Sequence, residues 1–162
     1  MTVVGITGHQ DLTGPTATTV CMEIGKALRV LSPPIIGLTS LAAGADQLFA
    51  DRVLAAGGTL HLIQPCCNYV ETFAGHSARR DYTRLRRRCT TVKILDFDTP
   101  SDEAFLAAGI EIARRSDWLF AVWDGTPARG LGGTADIVEY SRTSPGPDKV
   151  VVIWPDGAAR SG

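Results

Sequence analysis

The sequence predicts an α/β protein with a three-layer, Rossmann-like doubly wound fold and a mainly parallel sheet of about six strands. Three observations support this fold class. Six short runs are apolar almost throughout, as expected of strands buried on both faces, and they cover residues 2–7, 34–39, 59–64, 91–97, 118–123 and 149–154. Longer amphipathic stretches separate them, near residues 15–31, 44–57, 70–89, 102–115 and 133–143. Right-handed crossovers between such strands place helices on both faces of a parallel sheet.

Each element has its own signals, taken in chain order. The strands "TVVGIT", "PIIGLT" and "TLHLIQ" are rich in β-branched and aliphatic residues, and "SLAAGAD" leads from the second of them straight into the second helix. Gly57 or Gly58 ends that helix, because glycine adopts a left-handed C-cap at little cost. Ser101 and the acids of "SDEA" begin the fourth helix, where negative charge favours the helix dipole. The strand "WLFAVW", the helix that begins at "GGTAD" and the strand "KVVVIW" complete the alternation.

The third helix, "ETFAGHSARRDYTRLRRRC", is the most basic part of the chain. Its arginines between Arg79 and Arg88 have two interpretations. They form a patch for phosphate, or they are a solvated face whose basic C-terminal half suits the helix dipole. The sequence leaves both interpretations open.

Composition narrows the class of protein. The 162 residues predict one domain over 1–162 with a frayed tail at about 156–162. A hydrophobic content of 44% with 20% charged residues is typical of a globular chain. The net charge of −1 predicts no nucleic-acid or membrane partner. The first strand has no basic flank that would make it a signal peptide, so we expect a cytoplasmic protein.

No cofactor and no metal site are predicted. The four cysteines lack the spacing of zinc ligands and are expected to be structural or buried thiols; they are Cys21, Cys66, Cys67 and Cys89. Neither a GxGxxG fingerprint after the first strand nor a P-loop is present, so dinucleotide-binding and ATPase functions lack their motifs.

Small and polar residues collect after four of the predicted strands. In a doubly wound sheet, ligands bind beyond the carboxyl ends of the strands, near the switch in strand order. The segments that follow strands one, two, three and five are 8–14, 40–46, 65–69 and 124–134. Two of them place glycine and hydroxyl groups at a helix N-terminus, where free amides and the helix dipole suit a phosphate.

These segments supply the candidate ligand-binding residues. Singly, the glycines also fit tight turns, Thr134 fits a helix cap and His9 fits a polar surface. Their convergence on one edge of the sheet favours a site. The candidates are Gly8, His9, Ser40, Gly44, Asp46, Asp124, Gly125, Arg129, Gly132, Gly133 and Thr134. Trp123 either stacks on a base or packs in the core, and Trp118 and Trp154 are expected to have packing roles.

Two stretches resemble known proteins. "GLTSLAAGADQLFADRVLAAGGTLHLIQP" (37–65) resembles the glycine-rich segment of the DNA-processing protein DprA, also called Smf. "DWLFAVWDGTPARGLGGTADIVEY" (117–140) resembles the strand, glycine loop and helix of the LONELY GUY proteins, often described as lysine decarboxylases. Together they mark a resemblance to the SLOG superfamily of Rossmann-like domains. The resemblance implies a nucleotide ligand, with its phosphate held by Gly132, Gly133 and Thr134, and a homodimer.

The chain departs from the enzymes of that superfamily. LONELY GUY enzymes hydrolyse a nucleoside 5′-monophosphate with an arginine and a glutamate. Aligned on "RRSDWLFAVWDG", the arginine position falls at Ala108 and the glutamate position at Ile137, with Asp136 and Glu139 flanking it. Alanine and isoleucine cannot stabilise the charge of such a transition state. In other Rossmann-like folds, an acid beside the glycine loop holds a ribose hydroxyl, a role open to Asp124.

Three functions therefore stay open at this stage. The first is a sensor or binding module that holds a nucleotide or a nucleotide-derived phosphate. The alternative is a divergent enzyme acting on an N-glycosidic bond, a phosphoribohydrolase or a deoxyribosyltransferase-like protein, with its acid drawn from Glu139, Asp136 or Asp124. The third is an interaction subunit that keeps only the scaffold, since fold alone does not choose among functions.

Overall fold

The computed structural model describes residues 1–128, 130–146 and 148–158. Six strands alternate with five α-helices over these residues, and one short 3-10 turn lies at Tyr69–Thr72. In chain order the elements are β1 Thr2–Gly8, α1 Gly14–Arg29, β2 Ile35–Thr39, α2 Ala45–Ala55, β3 Thr59–Gln64, α3 His76–Arg86, β4 Cys89–Ile94, α4 Asp102–Arg115, β5 Trp118–Val122, α5 Thr134–Thr143 and β6 Val150–Ile153.

The six strands form one sheet in the order β4-β3-β2-β1-β5-β6, and every neighbouring pair is parallel. This arrangement confirms the predicted α/β class and the parallel sheet. On one side of β1 the sheet continues through β2 and β3 to β4, and on the other side it continues through β5 to β6. The switch point of the sheet therefore lies between β1 and β5, where Gly8 is in register with Val122.

Helices cover both faces of the sheet and give the three predicted layers. On one face α1, α2 and α3 pack into a large cluster that includes Ile24, Phe49 and Leu85, all fully buried. On the other face α4 and α5 contribute Ile112 and Ile137 to a second cluster. The inner strands β1, β2, β3 and β5 are buried from both sides, which explains their nearly continuous apolar sequences.

The third helical segment differs from its prediction. A single helix was expected over 70–89, but the chain forms the 3-10 turn, breaks, and resumes as α3 at His76. Gly75 has a φ of +80°, a conformation that interrupts a helix. Tyr69 and Phe73 lie buried on the near side of this break, with ring centroids 5.0 Å apart. The short turn thus moves two aromatic side chains into the interior.

The structure confirms the expected start of α4. Ser101 Oγ accepts a hydrogen bond of 3.1 Å from the amide of Ala104, and Thr13 caps α1 in the same way. Part of the predicted frayed tail is described: Ala158 donates its amide to the Pro155 carbonyl and accepts from the Trp154 indole. Among the described residues, no helix is long and apolar enough to cross a bilayer.

Candidate functional site

A pocket of about 330 Å³ opens at the carboxyl end of the sheet, at the switch point between β1 and β5. Its wall comes from the segments after β1, β2, β3 and β5, together with α4 and the first turn of α5. The prediction that these four segments share one edge of the sheet is thus correct. The position is the one at which doubly wound sheets bind ligands.

The floor of the pocket depends on a close approach of α2 to β1. Gly44 precedes α2 with a φ of +80°, and a Cβ there would lie 2.5 Å from the Gln10 carbonyl oxygen. A Cβ on Gly8 would lie 2.5 Å from the Ala45 Cβ. The Ala45 amide donates to the His9 carbonyl at 3.2 Å. These glycines let the N-terminus of α2 rest directly on the end of β1.

Asp46 organises the segment after β2 from within. Its carboxylate accepts hydrogen bonds from the Thr39 hydroxyl at 3.1 Å and from the Ser40 amide at 3.2 Å. Burial raises the pKa of Asp46 to about 6, although these bonds and one from the Ala42 amide lower it. Ser40, Ala42 and Asp46 all line the pocket. The first turn of α2 therefore already has a carboxylate of its own.

His9 joins the two strands at the switch point. Its side chain is nearly buried, and Nε2 lies 3.1 Å from Asp124 Oδ1 and 3.1 Å from the Asp124 amide nitrogen. Nε2 can donate to the carboxylate when it bears a proton and accept from the amide when it does not. The imidazole also meets the Trp154 ring edge-to-face, with centroids 5.4 Å apart. Trp154 thus has the packing role expected for it.

Asp124 holds the start of the glycine loop. Its Oδ1 accepts from the Thr126 hydroxyl at 2.6 Å and from the Thr126 amide at 3.0 Å, around Gly125 at a φ of +85°. Burial acts to raise the pKa of Asp124, but the bonds from Thr126 and His9 outweigh it and hold the pKa at about 2. The Trp123 indole donates to the Thr126 carbonyl at 2.8 Å. This loop start is a fixed turn.

The first turn of α5 faces the pocket through Gly132, Gly133, Thr134 and Ala135. The Asp136 carboxylate bonds back to the Gly132 amide at 2.9 Å. Among the described residues, the amides of Thr134 and Ala135 have no acceptor, and the Thr134 hydroxyl has no hydrogen-bond partner. The glycines also have packing reasons: a Cβ on Gly132 would lie 2.6 Å from the Leu106 amide nitrogen, and one on Gly133 2.8 Å from the Ala128 Cβ.

An apolar wall completes the pocket, and most of it was missed in the sequence. Tyr69, Phe73 and Phe105 contribute aromatic rings, with the Tyr69 centroid 6.3 Å from that of Phe105. Ile137 lies beside them and packs on Gly109, where an added Cβ would come within 2.4 Å of the Ile137 Cδ1. Aromatic residues so soon after the third strand could have indicated this wall. The single helix predicted over 70–89 placed them on a helix instead.

The structure brings only some of the candidate ligand-binding residues together at the pocket. Those that line the pocket are Gly8, His9, Ser40, Asp46, Gly132, Gly133 and Thr134. Gly44, Asp124 and Gly125 lie behind the wall and shape it. Arg129 falls outside the described residues. Glu139 is exposed on α5 and does not line the pocket.

The predictions for the cysteines, the tryptophans and a metal site have different outcomes. Cys66 is buried, but Cys67 is exposed and so departs from the buried thiol expected there, because the turn after β3 faces outward at that residue. Trp118, expected to pack, is 40% exposed at the start of β5. No group of three or more metal-ligating side chains occurs within the described ranges.

Comparisons with known proteins relate this fold to DNA processing protein A. No protein-family profile and no curated protein sequence matches the chain. The structure of DNA processing protein A from Helicobacter pylori, studied for its single-stranded DNA binding, overlaps 99% of this chain and 68% of its own at 14% identity and a TM-score of 0.65. The protein from Streptococcus pneumoniae overlaps 93% and 58%, at 17% identity and a TM-score of 0.53.

The overlaps and the sheet order show that this chain shares the Rossmann-like fold of DNA processing protein A, so the resemblance is confirmed at the level of fold. A third solved structure, a structural-genomics target, covers 75% of this chain and 61% of its own at 18% identity with a TM-score of 0.48. The chain thus spans about three-fifths to two-thirds of the length of these three proteins.

Proposed function

We propose that the pocket at the switch point binds a nucleotide or a nucleotide-derived phosphate and that the protein acts as a sensor or binding module. The observation that carries the proposal is the first turn of α5, whose glycines, hydroxyl and amides line a pocket that is also lined by aromatic side chains. At about 330 Å³ the pocket is at the small end of the range for small-molecule sites.

The phosphate belongs at the N-terminus of α5. The Thr134 and Ala135 amides and the Thr134 hydroxyl are donors without partners among the described residues, and the helix dipole adds partial positive charge there. The other helix N-terminus at the pocket is less suited to an anion. Its Ala45 amide is already bonded to His9, and the Asp46 carboxylate lies in its first turn. One phosphate site rather than two is therefore expected.

The rest of the ligand lies against the apolar wall. Tyr69, Phe73 and Phe105 contribute the aromatic part of the pocket lining. A nucleobase is a flat aromatic group that packs well on such surface. A ligand with a phosphate at one end and a base at the other matches both parts of this lining.

Binding without hydrolysis is favoured by what occupies the catalytic positions of the related enzymes. Ala108 and Ile137 are both buried in the apolar cluster between α4 and α5. Asp136 is bonded to the Gly132 amide, and Glu139 is exposed away from the pocket. None of the acids considered for cleavage of an N-glycosidic bond lines the pocket. A sensor therefore agrees with the geometry better than an enzyme.

The test is a thermal-shift panel of nucleosides, nucleoside mono-, di- and triphosphates, cyclic nucleotides and nicotinamide nucleotides. At one hundred times the Kd, a ligand adds about 2.7 kcal/mol of stability. For a chain of this size that raises the Tm by about 5–10 °C. We expect a monophosphate to give this shift, its parent nucleoside to give less, and chromatography to show the nucleotide intact.

Ala135→Asp gives the matching site variant. A carboxylate in the first turn of a helix suits the dipole and preserves the fold, yet it places negative charge where the phosphate should sit. We expect the shift to disappear, whereas Glu139→Gln on the exposed face of the same helix leaves it unchanged. Equal shifts with nucleoside and nucleotide would refute the phosphate site. Release of free base that Glu139→Gln abolishes would establish the enzyme, and no shift with any compound would leave only the scaffold.

A further inference from the structure

The near-neutral net charge of the chain hides a strong local separation of charge. Residues 79–93 contain seven of the 16 basic residues and one of the 17 acidic residues. The remaining 147 residues therefore have nine basic and 16 acidic side chains. A basic stripe of this kind is the electrostatic footprint of a polyanion partner, and net charge alone does not reveal it.

The basic stripe lies on the outer side of α3 and its turn into β4. We name it the α3 arginine surface, which consists of Arg79, Arg80, Arg84, Arg86, Arg87 and Arg88. All six side chains are exposed, while Tyr82 and Leu85 on the inner side of the helix are buried in the core. None of the six lines the pocket at the switch point, so this surface is separate from the proposed nucleotide site.

Only one of these arginines is neutralised by an acid in the described part of the chain. Arg84 forms two bonds with the Asp51 carboxylate, at 2.8 and 3.0 Å, and lies 3.5 Å from Asp81. It fastens α3 to α2. The other five have no ion-pair partner among the described residues, although Arg79 donates to the Phe73 carbonyl. Their charge is available to a partner.

The spacing of the arginines suits a phosphate backbone. Arg80 and Arg87, which have no acid partner among the described residues, are seven residues apart and so about 10.5 Å apart along the helix axis. Each strand of a duplex presents a phosphate every 3.4 Å or so of its axis. Guanidinium groups bind phosphate oxygens through paired N–H donors, which lysine cannot do.

Other polyanions fit this surface less well. A membrane-binding helix needs apolar side chains at the lipid face, and the exposed side of α3 has none. A protein interface is usually anchored by aromatic residues, and single-stranded nucleic acid is usually held by stacking on them. Among the described residues, the exposed large aromatic side chain is Trp118, on β5 and away from α3.

We propose that the α3 arginine surface binds the phosphate backbone of double-stranded nucleic acid without reading its sequence. The contacts are charge-assisted hydrogen bonds to phosphates, so the affinity falls steeply with salt. The proposal does not depend on the function proposed for the pocket.

The test compares two triple variants of the full chain by fluorescence anisotropy, with a labelled 20-base-pair DNA duplex of mixed sequence. Arg80→Gln, Arg87→Gln and Arg88→Gln together remove three unpaired charges from the α3 arginine surface. Arg29→Gln, Arg114→Gln and Arg142→Gln remove the same charge from exposed positions elsewhere. Glutamine is a good helix former, and equal melting temperatures verify that both variants fold.

We expect the first variant to bind the duplex at least tenfold more weakly at 50 mM salt. The slope of log K against log salt should fall by about 2.7, which corresponds to about 0.9 for each phosphate that the variant no longer neutralises. The second variant should bind like the unaltered chain. Equal weakening in both variants, no duplex binding by the unaltered chain, tighter binding to the 20-nucleotide single strand, or tighter binding to phosphatidylserine vesicles would each overturn the proposal.

Discussion

Replacement of Gly44 by alanine is expected to lower the free energy of unfolding by about 4 kcal/mol, the largest effect of any substitution considered. Gly44 has φ +80° and ψ −123°, which L side chains rarely adopt. A methyl group there would also lie within 2.7 Å of three backbone atoms of His9 and Gln10. Backbone atoms cannot move aside as a flexible side chain can, so α2 must shift away from β1.

Gly57→Ala is the matched control for this prediction. Gly57 has a φ of +78°, close to that of Gly44, but nothing lies within 4 Å of the position that its Cβ would occupy. Alanine there has only the conformational cost of the left-handed region, about 1 kcal/mol. Urea unfolding of both variants separates the steric contribution from the conformational one. Equal losses of stability would show that the contact between α2 and β1 is looser than the distances indicate.

The fold could be predicted because its signals are local. Strands buried on both faces must be apolar throughout, and caps such as Ser101 mark the helices. The switch point then follows from a general rule about doubly wound sheets. The elements that departed from prediction lie at the β4 edge, where Gly75 interrupts the helix predicted over 70–89 and β4 is mostly exposed. There the apolar pattern that defines the inner strands is weak.

The reason for the glycines was only partly visible in the sequence. Their density at the pocket suggested close approach of a phosphate to bare backbone. In the fold, Gly44 and Gly132 make room for neighbouring backbone, of the β1 loop and of α4 respectively. Such contacts join residues far apart in the chain, so no local pattern reveals them. Substitutions at these glycines would test packing, which is why Ala135→Asp is the better probe of the phosphate site.

Other parts of the site also required the tertiary structure. Asp46 and Asp124 were predicted to contact a ligand, but their carboxylates mainly bond to their own loops. Short polar side chains after a strand serve either purpose, and the sequence does not distinguish the two. The aromatic wall depends on where the 3-10 turn folds back, which brings Tyr69 to within 5.7 Å of Tyr82, between ring centroids.

Acid sensitivity should depend strongly on Asp124. Its pKa in the fold is about 2, below its ordinary value of 3.8, so the folded state favours the ionised form. The difference corresponds to about 2 kcal/mol of stability at pH 7, and the side chain is only 13% exposed, so solvent screening is small. Because the pKa is lowered on folding, this stability is complete above the ordinary pKa and is lost as the pH falls through the folded value.

Two other acids also titrate at acidic pH, and their ionisation changes the stability of the fold in opposite directions. Hydrogen bonds from Lys93 and Arg114 hold the pKa of Glu111 at about 2, so Glu111 also loses stabilisation in acid. Burial raises the pKa of Asp46 to about 6, so its ionisation opposes folding as the pH rises from about 4 to 6. Both groups are unchanged in an Asp124 variant. The difference between the variant and the unaltered chain therefore isolates Asp124 together with its contact to His9.

Asp124→Asn is expected to lower the free energy of unfolding by about 2 kcal/mol at pH 7 and by about half of that at pH 3. Asparagine keeps an acceptor for Thr126 but loses the charge that faces His9 Nε2 at 3.1 Å. Urea unfolding across this pH range measures the difference, with the exposed Asp98→Asn as a control that should stay within about 0.5 kcal/mol. A loss that is the same at pH 7 and pH 3 would mean that Asp124 stabilises the turn through its shape and hydrogen bonds alone, and that its charge contributes nothing at the switch point.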